Sequence, residues 1–239
     1  MKVAVTQANY VPWLGYFDLL DHVDLWVNLD TVQVVTRSFI VRNRIKLLSG
    51  GTRWLTVALE KAPRDTQIRA ARLAPGDWHT AHCNVIRENY REAPFLDDCW
   101  PWLVDLLAPR PDEPTLALHN ERIIRELADA LGLAVVVRRA SDLVPEPTGT
   151  PQEKLVRLLR AAGGTSLWNF RRGVELGLYD AAGLGRIGIP LMKQEYEHPE
   201  YSQLGGEFLP YLSVLDLILN EGVARSLEII RSGSRWSRQ

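Results

Sequence analysis

Two short apolar runs open the chain, Val3-Ala4-Val5 within residues 2–6 and Leu25-Trp26-Val27-Asn28-Leu29. Between them apolar residues recur at helical spacing, at Leu14, Phe17, Leu19, Leu20 and Val23, after a turn opened by Pro12. A strand, a helix and a strand in this order pair as parallel neighbours through a right-handed crossover. The chain therefore starts with a βαβ unit, and few architectures other than α/β accommodate one.

The next segment has a different rhythm. Val32–Val35, Phe39–Val41, Ile45–Leu48 and Trp54–Leu59 read as short strands, with Ser49-Gly50-Gly51-Thr52 as a hairpin turn. Ile68–Leu73 is a further candidate strand. Three helices follow: Trp78 to about Glu92 after Asp77, Phe95–Leu107, and Thr115–Leu131 closed by Gly132. Ala134–Val137 reads as a strand. Thr150-Pro151 opens a helix that stops at Gly163-Gly164. Leu167-Trp168 is a short strand, residues 170–189 are irregular and Pro190–Glu195 is extended. Leu212–Leu219 and Val223–Ile230 are helical, and the tail from Ser232 is expected to fray. The expected fold is α/β, a parallel-type βαβ core with an inserted antiparallel β element and a helical middle region. A single domain, 1–239, is expected, divided into 1–75, 76–132, 133–231 and the tail 232–239.

The 239 residues carry 28 basic and 29 acidic side chains, so no global field favours nucleic acid or an anionic membrane. No apolar run is long enough to span a bilayer, and the N-terminus turns polar too early for a signal peptide. Two cysteines, Cys83 and Cys99, do not make a disulfide framework; the expectation is a cytoplasmic protein with free thiols.

Polar and aromatic side chains gather where a sheet's loops emerge. Gln7, Asn9, Tyr10, Trp13 and Tyr16 follow the first strand, and Asp30 and Gln33 follow the second. Loops after the strands of an α/β sheet are where ligands bind. Arg37, Arg42, Arg44 and Lys46 put four cations in ten residues, and on a strand the last three share a face. Such a face holds a phosphate or forms a solvated edge. Tyr10, Trp13 and Tyr16 either stack on a ligand ring or pack under the sheet edge; packing is favoured for Trp13. Asp30 either orients an amine or forms a turn. His79 and His82 share a helix face, but no further ligand completes a metal site; His82 is a candidate acid–base group. Tyr201, Gln203, Asp216 and Asn220 form a late cluster. Asp216 and Asn220 lie on one face of an apolar helix, and burial of Asp216 calls for a partner, here expected to be an N-terminal arginine.

These motifs carry a family resemblance. Gln7-Ala8-Asn9-Tyr10-Val11-Pro12-Trp13-Leu14-Gly15-Tyr16-Phe17 resembles the Gln-Pro-x-Tyr-x-Pro-Tyr/Trp-x-Gly-Tyr-Phe opening of WbqC-like proteins. Asp30-Thr31-Val32-Gln33, Arg37, Arg42-Asn43-Arg44-Ile45 and Trp54-Leu55-Thr56-Val57 resemble the motifs that follow it. Tyr201-Ser202-Gln203, Phe208, Pro210, Ser213, Asp216 and Asn220 resemble its closing signature. The match keeps motif order along nearly the whole chain. Departures are Ala8 for a proline, Asn28 in a usually aliphatic strand, and Ser166–Phe170 in place of a Tyr-x-Ser-Gly segment.

The resemblance implies a biosynthetic transferase acting on a small metabolite or nucleotide-sugar. The transferred group would be aminoacyl, such as glycyl, and the acceptor an amine, in polysaccharide or secondary-metabolite assembly. In that reading Asp30 and His82 serve catalysis. Gln7, Tyr10, Tyr16, Gln33, Arg37, Arg42, Asn43, Arg44, Tyr201, Gln203, Asp216 and Asn220 bind substrate. No cofactor or metal is identified, and the oligomeric state is open. Alternatives are a non-catalytic ligand- or carrier-binding protein, and an ATP-dependent amide ligase or aminoacyl-tRNA-using enzyme. The opening loosely resembles nucleotide-binding ligases of the pantothenate synthetase type but lacks their phosphate-binding histidines.

Overall fold

A computed structural model describes residues 1–239. The opening βαβ unit is present as β1 (Lys2–Thr6), α1 (Leu14–His22) and β2 (Leu25–Asn28), with Val3 opposite Leu25 and Thr6 opposite Asn28 in parallel register. The inserted β element is an antiparallel hairpin, β3 (Arg42–Lys46) and β4 (Thr52–Thr56), with Arg44 opposite Trp54. The helical middle region holds α2 (Trp78–Asn89), α3 (Leu96–Leu107) and α4 (Leu116–Ala130). The chain then returns to the sheet through β5 (Val137–Arg139), α5 (Ala140–Leu143), α6 (Pro151–Ala161) and β6 (Ser166–Phe170). It closes with α7 (Arg171–Glu175), α8 (Ala181–Arg186), β7 (Leu191–Gln194), α9 (Val214–Glu221), α10 (Val223–Ser232) and β8 (Trp236–Arg238). No helix is long and apolar enough to cross a membrane.

The sheet runs β5-β2-β1-β6-β7-β8, parallel except for β8. The chain builds outward from β1 to β2 and β5, then crosses back to place β6 on the other side of β1. This is the doubly wound order, and the crevice at its switch point lies beyond the carboxyl ends of β1 and β6. Pleat alternation explains the two-sided core. Val3, Val5, Leu25, Val27, Leu167 and Leu191 face a cluster that includes Leu155, Leu158 and Leu159 of α6. Ala4 and Trp26 face the larger cluster, built with α1, α4 and α9. Each fully buried leucine or isoleucine of these clusters contributes about 1.5–3 kcal/mol.

Several sequence expectations are corrected. Residues 32–41 form turns rather than strands, because their backbone serves other partners: Tyr10 N–H donates to the Phe39 carbonyl at 2.9 Å and Asn120 Nδ2 to the Ile40 carbonyl at 2.7 Å. Gln33 and Leu59 keep single bridges to Gln67 and Leu73, and Ile68–Ala70 is a 3₁₀ turn. The strand expected at Ala134–Val137 starts only at Val137, in register with Trp26. The tail expected to fray instead pairs antiparallel with β7 through Trp236–Arg238. Irregularity in 170–189 resolves into α7 and α8, each too short to show a helical period.

Candidate functional site

A cleft of about 490 Å³ opens at the switch point. Asn9 and Trp13 come to it from the loop after β1, Phe170 from the end of β6, and Gln194 and Tyr196 from the end of β7. The hairpin side supplies Phe39 and Arg44, the segment before α9 supplies Tyr211, and α7 supplies Arg171, Arg172 and Glu175. A shallower depression of about 240 Å³ between α6 and α8 lacks aromatic lining. Position and chemistry both favour the larger cleft.

Aromatic packing shapes the interior. The Trp13 ring contacts Tyr196 and Tyr211, each at 5.4 Å between centroids, and Phe170 at 6.3 Å. A Cβ on Gly15 would overlap the Trp13 ring, so the glycine lets the indole lie across the first turn of α1. Trp13, for which the sequence favours packing, does pack against the core and these rings, and it also forms part of the cleft wall.

Two non-glycine residues with left-handed backbone lie at this end of the molecule, Val11 with φ 35° and Tyr211 with φ 60°. A β-branched residue rarely adopts such a φ, and the strain persists only where neighbours impose it. β3 supplies the restraint on both sides. Asn43 Nδ2 donates to the carbonyls of Tyr10 at 3.2 Å and Val11 at 2.8 Å. The Arg44 carbonyl accepts from Ser213 N–H at 2.9 Å, and Arg44 Nη2 reaches the Tyr211 carbonyl at 3.4 Å. Trp13 and Ser213 then bridge the starts of α1 and α9.

The cleft's charges are unbalanced. Arg171 is paired with Glu195, but Arg44 and Arg172 make no ion pair. Arg44 Nε is buried without a hydrogen-bond partner. Arg42 and Arg44 share a face of β3 as period two requires, and Arg42 lies over the Trp54 ring at 4.2 Å. Lys46 turns away to Gln203 and the carbonyls of Gly206 and Glu207. Residues 31–59 contain no Asp or Glu, so nothing on the hairpin neutralises these guanidiniums.

Other sequence-selected residues are placed elsewhere. Asp30, 1% exposed, accepts from Ser141 N–H at 2.9 Å and Ser141 Oγ–H at 2.6 Å, holding the start of α5. His82 is buried beside Tyr10. Its Nε2 reaches the Thr56 carbonyl at 3.1 Å and must donate there, so Nδ1 accepts from the Tyr10 hydroxyl at 2.9 Å. Burial pushes its pKa down to about 4, so the ring is neutral near pH 7. Tyr16 is buried and donates to the Gln7 carbonyl at 3.0 Å. Gln33 donates to the Arg64 carbonyl, and the Arg37 carbonyl accepts from Arg42 Nη2. No three His, Cys, Asp or Glu side chains are grouped to hold a metal ion. Cys83 and Cys99 are free and buried.

The late cluster is a buried network away from the cleft wall. Asp216 accepts from Tyr90 at 2.6 Å, Tyr201 at 2.7 Å and Gln203 at 2.7 Å, and its backbone carbonyl accepts from Asn220. The expected pairing with an arginine does not form; the nearby cation is Lys46, joined through Gln203. Burial raises the Asp216 pKa against the opposing pull of these three donors. Gly205, at φ 75°, lets this segment approach the Leu47 carbonyl on the hairpin loop, where a side chain would collide. The network thus fastens the segment that carries Tyr211 to the hairpin that carries Arg44.

Arg171, Arg172 and Gln194 were not selected from the sequence. A signal exists at Phe170-Arg171-Arg172, an aromatic and two cations directly after a short apolar run. It becomes meaningful only once that run is known to lie beside β1.

Fold and site together define a doubly wound α/β protein with an arginine-bearing, aromatic-walled cleft at its switch point. Comparison with known proteins places it more closely. The model of the WbqC-like protein family matches residues 7–227, and the chain belongs to that family. It is 32% identical over 224 residues to the uncharacterized protein Rv1507c of Mycobacterium tuberculosis, covering 92% of this chain and 94% of that one. No solved structure matches it.

Proposed function

We propose that this protein is a biosynthetic transferase whose substrate, an anionic small metabolite of nucleotide or nucleotide-sugar type, binds in the switch-point cleft. The observation that carries this reading is Arg44: a guanidinium without a carboxylate partner, its Nε buried and unbonded, at a cleft of about 490 Å³ with aromatic walls. Buried cation donors left unpaired are costly unless a ligand completes them. Arg172 supplies a second uncompensated charge, and Trp13, Phe170 and Tyr211 offer ring surfaces for a base or sugar. Transfer of an aminoacyl group such as glycyl to an amine rests on what the motif resemblance implies. The amine nitrogen would attack the acyl carbon, the bond from that carbon to the donor's leaving group would break, and the proton lost by the amine would pass to the departing group.

One observation favours a second reading, a ligand-binding protein without turnover. Every side-chain polar atom of Asp30 and His82 is engaged in the fold, and Glu175 is the one carboxylate at the cleft. The test that separates the two is incubation with an aminoacyl-adenylate or aminoacyl-tRNA and an amine-bearing nucleotide-sugar. A product heavier by one aminoacyl residue, lost in Arg44→Ala, supports transfer. Ligand binding without product supports the second reading.

A further inference from the structure

The floor of the cleft has a polarity opposite to that of its mouth. Gln194, the last residue of β7, is 2% exposed and lies opposite Phe170 of β6. Its Nε2 donates to the Gly15 carbonyl at 2.7 Å and to Asp18 Oδ2 at 2.7 Å. Both neighbours are acceptors, so the amide nitrogen must face them and both its N–H groups are used. The carbonyl oxygen Oε1 then points the other way. It accepts no hydrogen bond from the chain, yet it is not among the sealed, unpartnered atoms of the interior. Gln194 lines the cleft, so the cleft is open to this oxygen.

We propose that Gln194 Oε1 is a recognition site for an amine of the ligand, so that the cleft selects molecules carrying an anion at one end and an N–H donor at the other. This rests on the anion-binding reading above. A carbonyl oxygen only accepts, so whatever fills the floor must donate. Asp18 strengthens the preference. Its carboxyl group is fully buried behind the Gln194 amide, and its second oxygen has no hydrogen-bond partner. A carboxyl that accepts from an amide N–H polarises the amide and makes its carbonyl a stronger acceptor. Asn9, whose side chain makes no hydrogen bond within the chain, stands at the same cleft as a second adaptable contact. Gln194 is thus a positioning and specificity residue that would hold the reacting nitrogen, while Arg44 and Arg172 hold the anion.

The test uses the full chain and two matched series of probes, ω-aminoalkyl phosphates and the corresponding alkyl phosphates, with spacers graded from about two to about six carbons so that one length fits the span. Titration calorimetry is expected to give tighter binding of the amino member at the fitting length, by about tenfold or more, the lower end of the range for one hydrogen bond to a charged donor. That advantage should vanish in Gln194→Leu. Because this variant leaves Gly15 and Asp18 without their donor and can fail to fold, the wild-type Gln194 side-chain amide resonance provides a second readout. It should shift with the amino probe and not with the alkyl probe. Equal affinities of the two series at every length, or an unmoved resonance, would overturn the assignment. Phosphate binding that survives Arg44→Ala would instead overturn the anion-binding reading beneath it.

Discussion

Asn43 Nδ2 spans two successive backbone carbonyls, those of Tyr10 at 3.2 Å and Val11 at 2.8 Å, and so holds a valine at φ 35°. The restraint matters because this turn delivers Trp13 and α1 to the cleft. Asn43→Ala removes the donor and leaves two buried acceptors beside a strained residue. A loss of about 2–4 kcal/mol in urea unfolding is expected, from unsatisfied carbonyls together with release of the turn. A loss below about 1 kcal/mol would show that the turn holds its shape without the clamp.

Gly15→Ala probes the other side of the same turn. Helix propensity alone favours alanine by about 1 kcal/mol. Here a Cβ overlaps the Trp13 ring, so the indole must move. The expected outcome is altered tryptophan fluorescence and weakened ligand binding with little change in unfolding midpoint. Unchanged fluorescence and affinity would mean that Trp13 does not shape the cleft.

Asp30 and its partner Ser141 lie 111 positions apart in sequence. Asp30→Ala should cost about 1–2 kcal/mol, the range of a lost helix cap, and leave cleft affinity unchanged. A large loss of affinity at preserved stability would return Asp30 to the binding machinery.

His82 makes stability depend on acid. Its folded pKa is about 4, against an ordinary value of 6.5. Above pH 6.5 it is neutral in both states and contributes no slope. As pH falls from 6.5 towards 4 the unfolded chain takes up a proton that the folded chain refuses, and stability declines. The decline is on the order of 3 kcal/mol for this group. His119, lowered to about 3, extends it further. His82→Gln should give a shallower acid limb in unfolding midpoint against pH. An unchanged limb would place the acid sensitivity elsewhere.

What the sequence made legible is what local pattern encodes. The helical spacing of Leu14 to Val23 between two apolar runs revealed the βαβ opening, and Gly50-Gly51 marked the hairpin. Period two correctly put Arg42 and Arg44 on one face. Local pattern does not encode which distant segments fill the remaining places. Ser141 arrives at Asp30 and Thr56 at His82 from far along the chain, and each consumes polar atoms that read as free. β6 and β7 have five and four residues, and their neighbours are set by crossovers rather than by their own composition. Phe170, Arg171 and Gln194 therefore became visible as cleft residues only through the strand order.

Anion binding through Arg44 in the switch-point cleft is checked by calorimetric titration of wild type and Arg44→Ala with ADP, UDP and UDP-glucose. At least one of these ligands is expected to bind the wild type and to lose about tenfold or more in affinity in the folded variant, the effect of about 1.4 kcal/mol. Equal affinity in both proteins, or no binding of any of the three to the wild type, would contradict it.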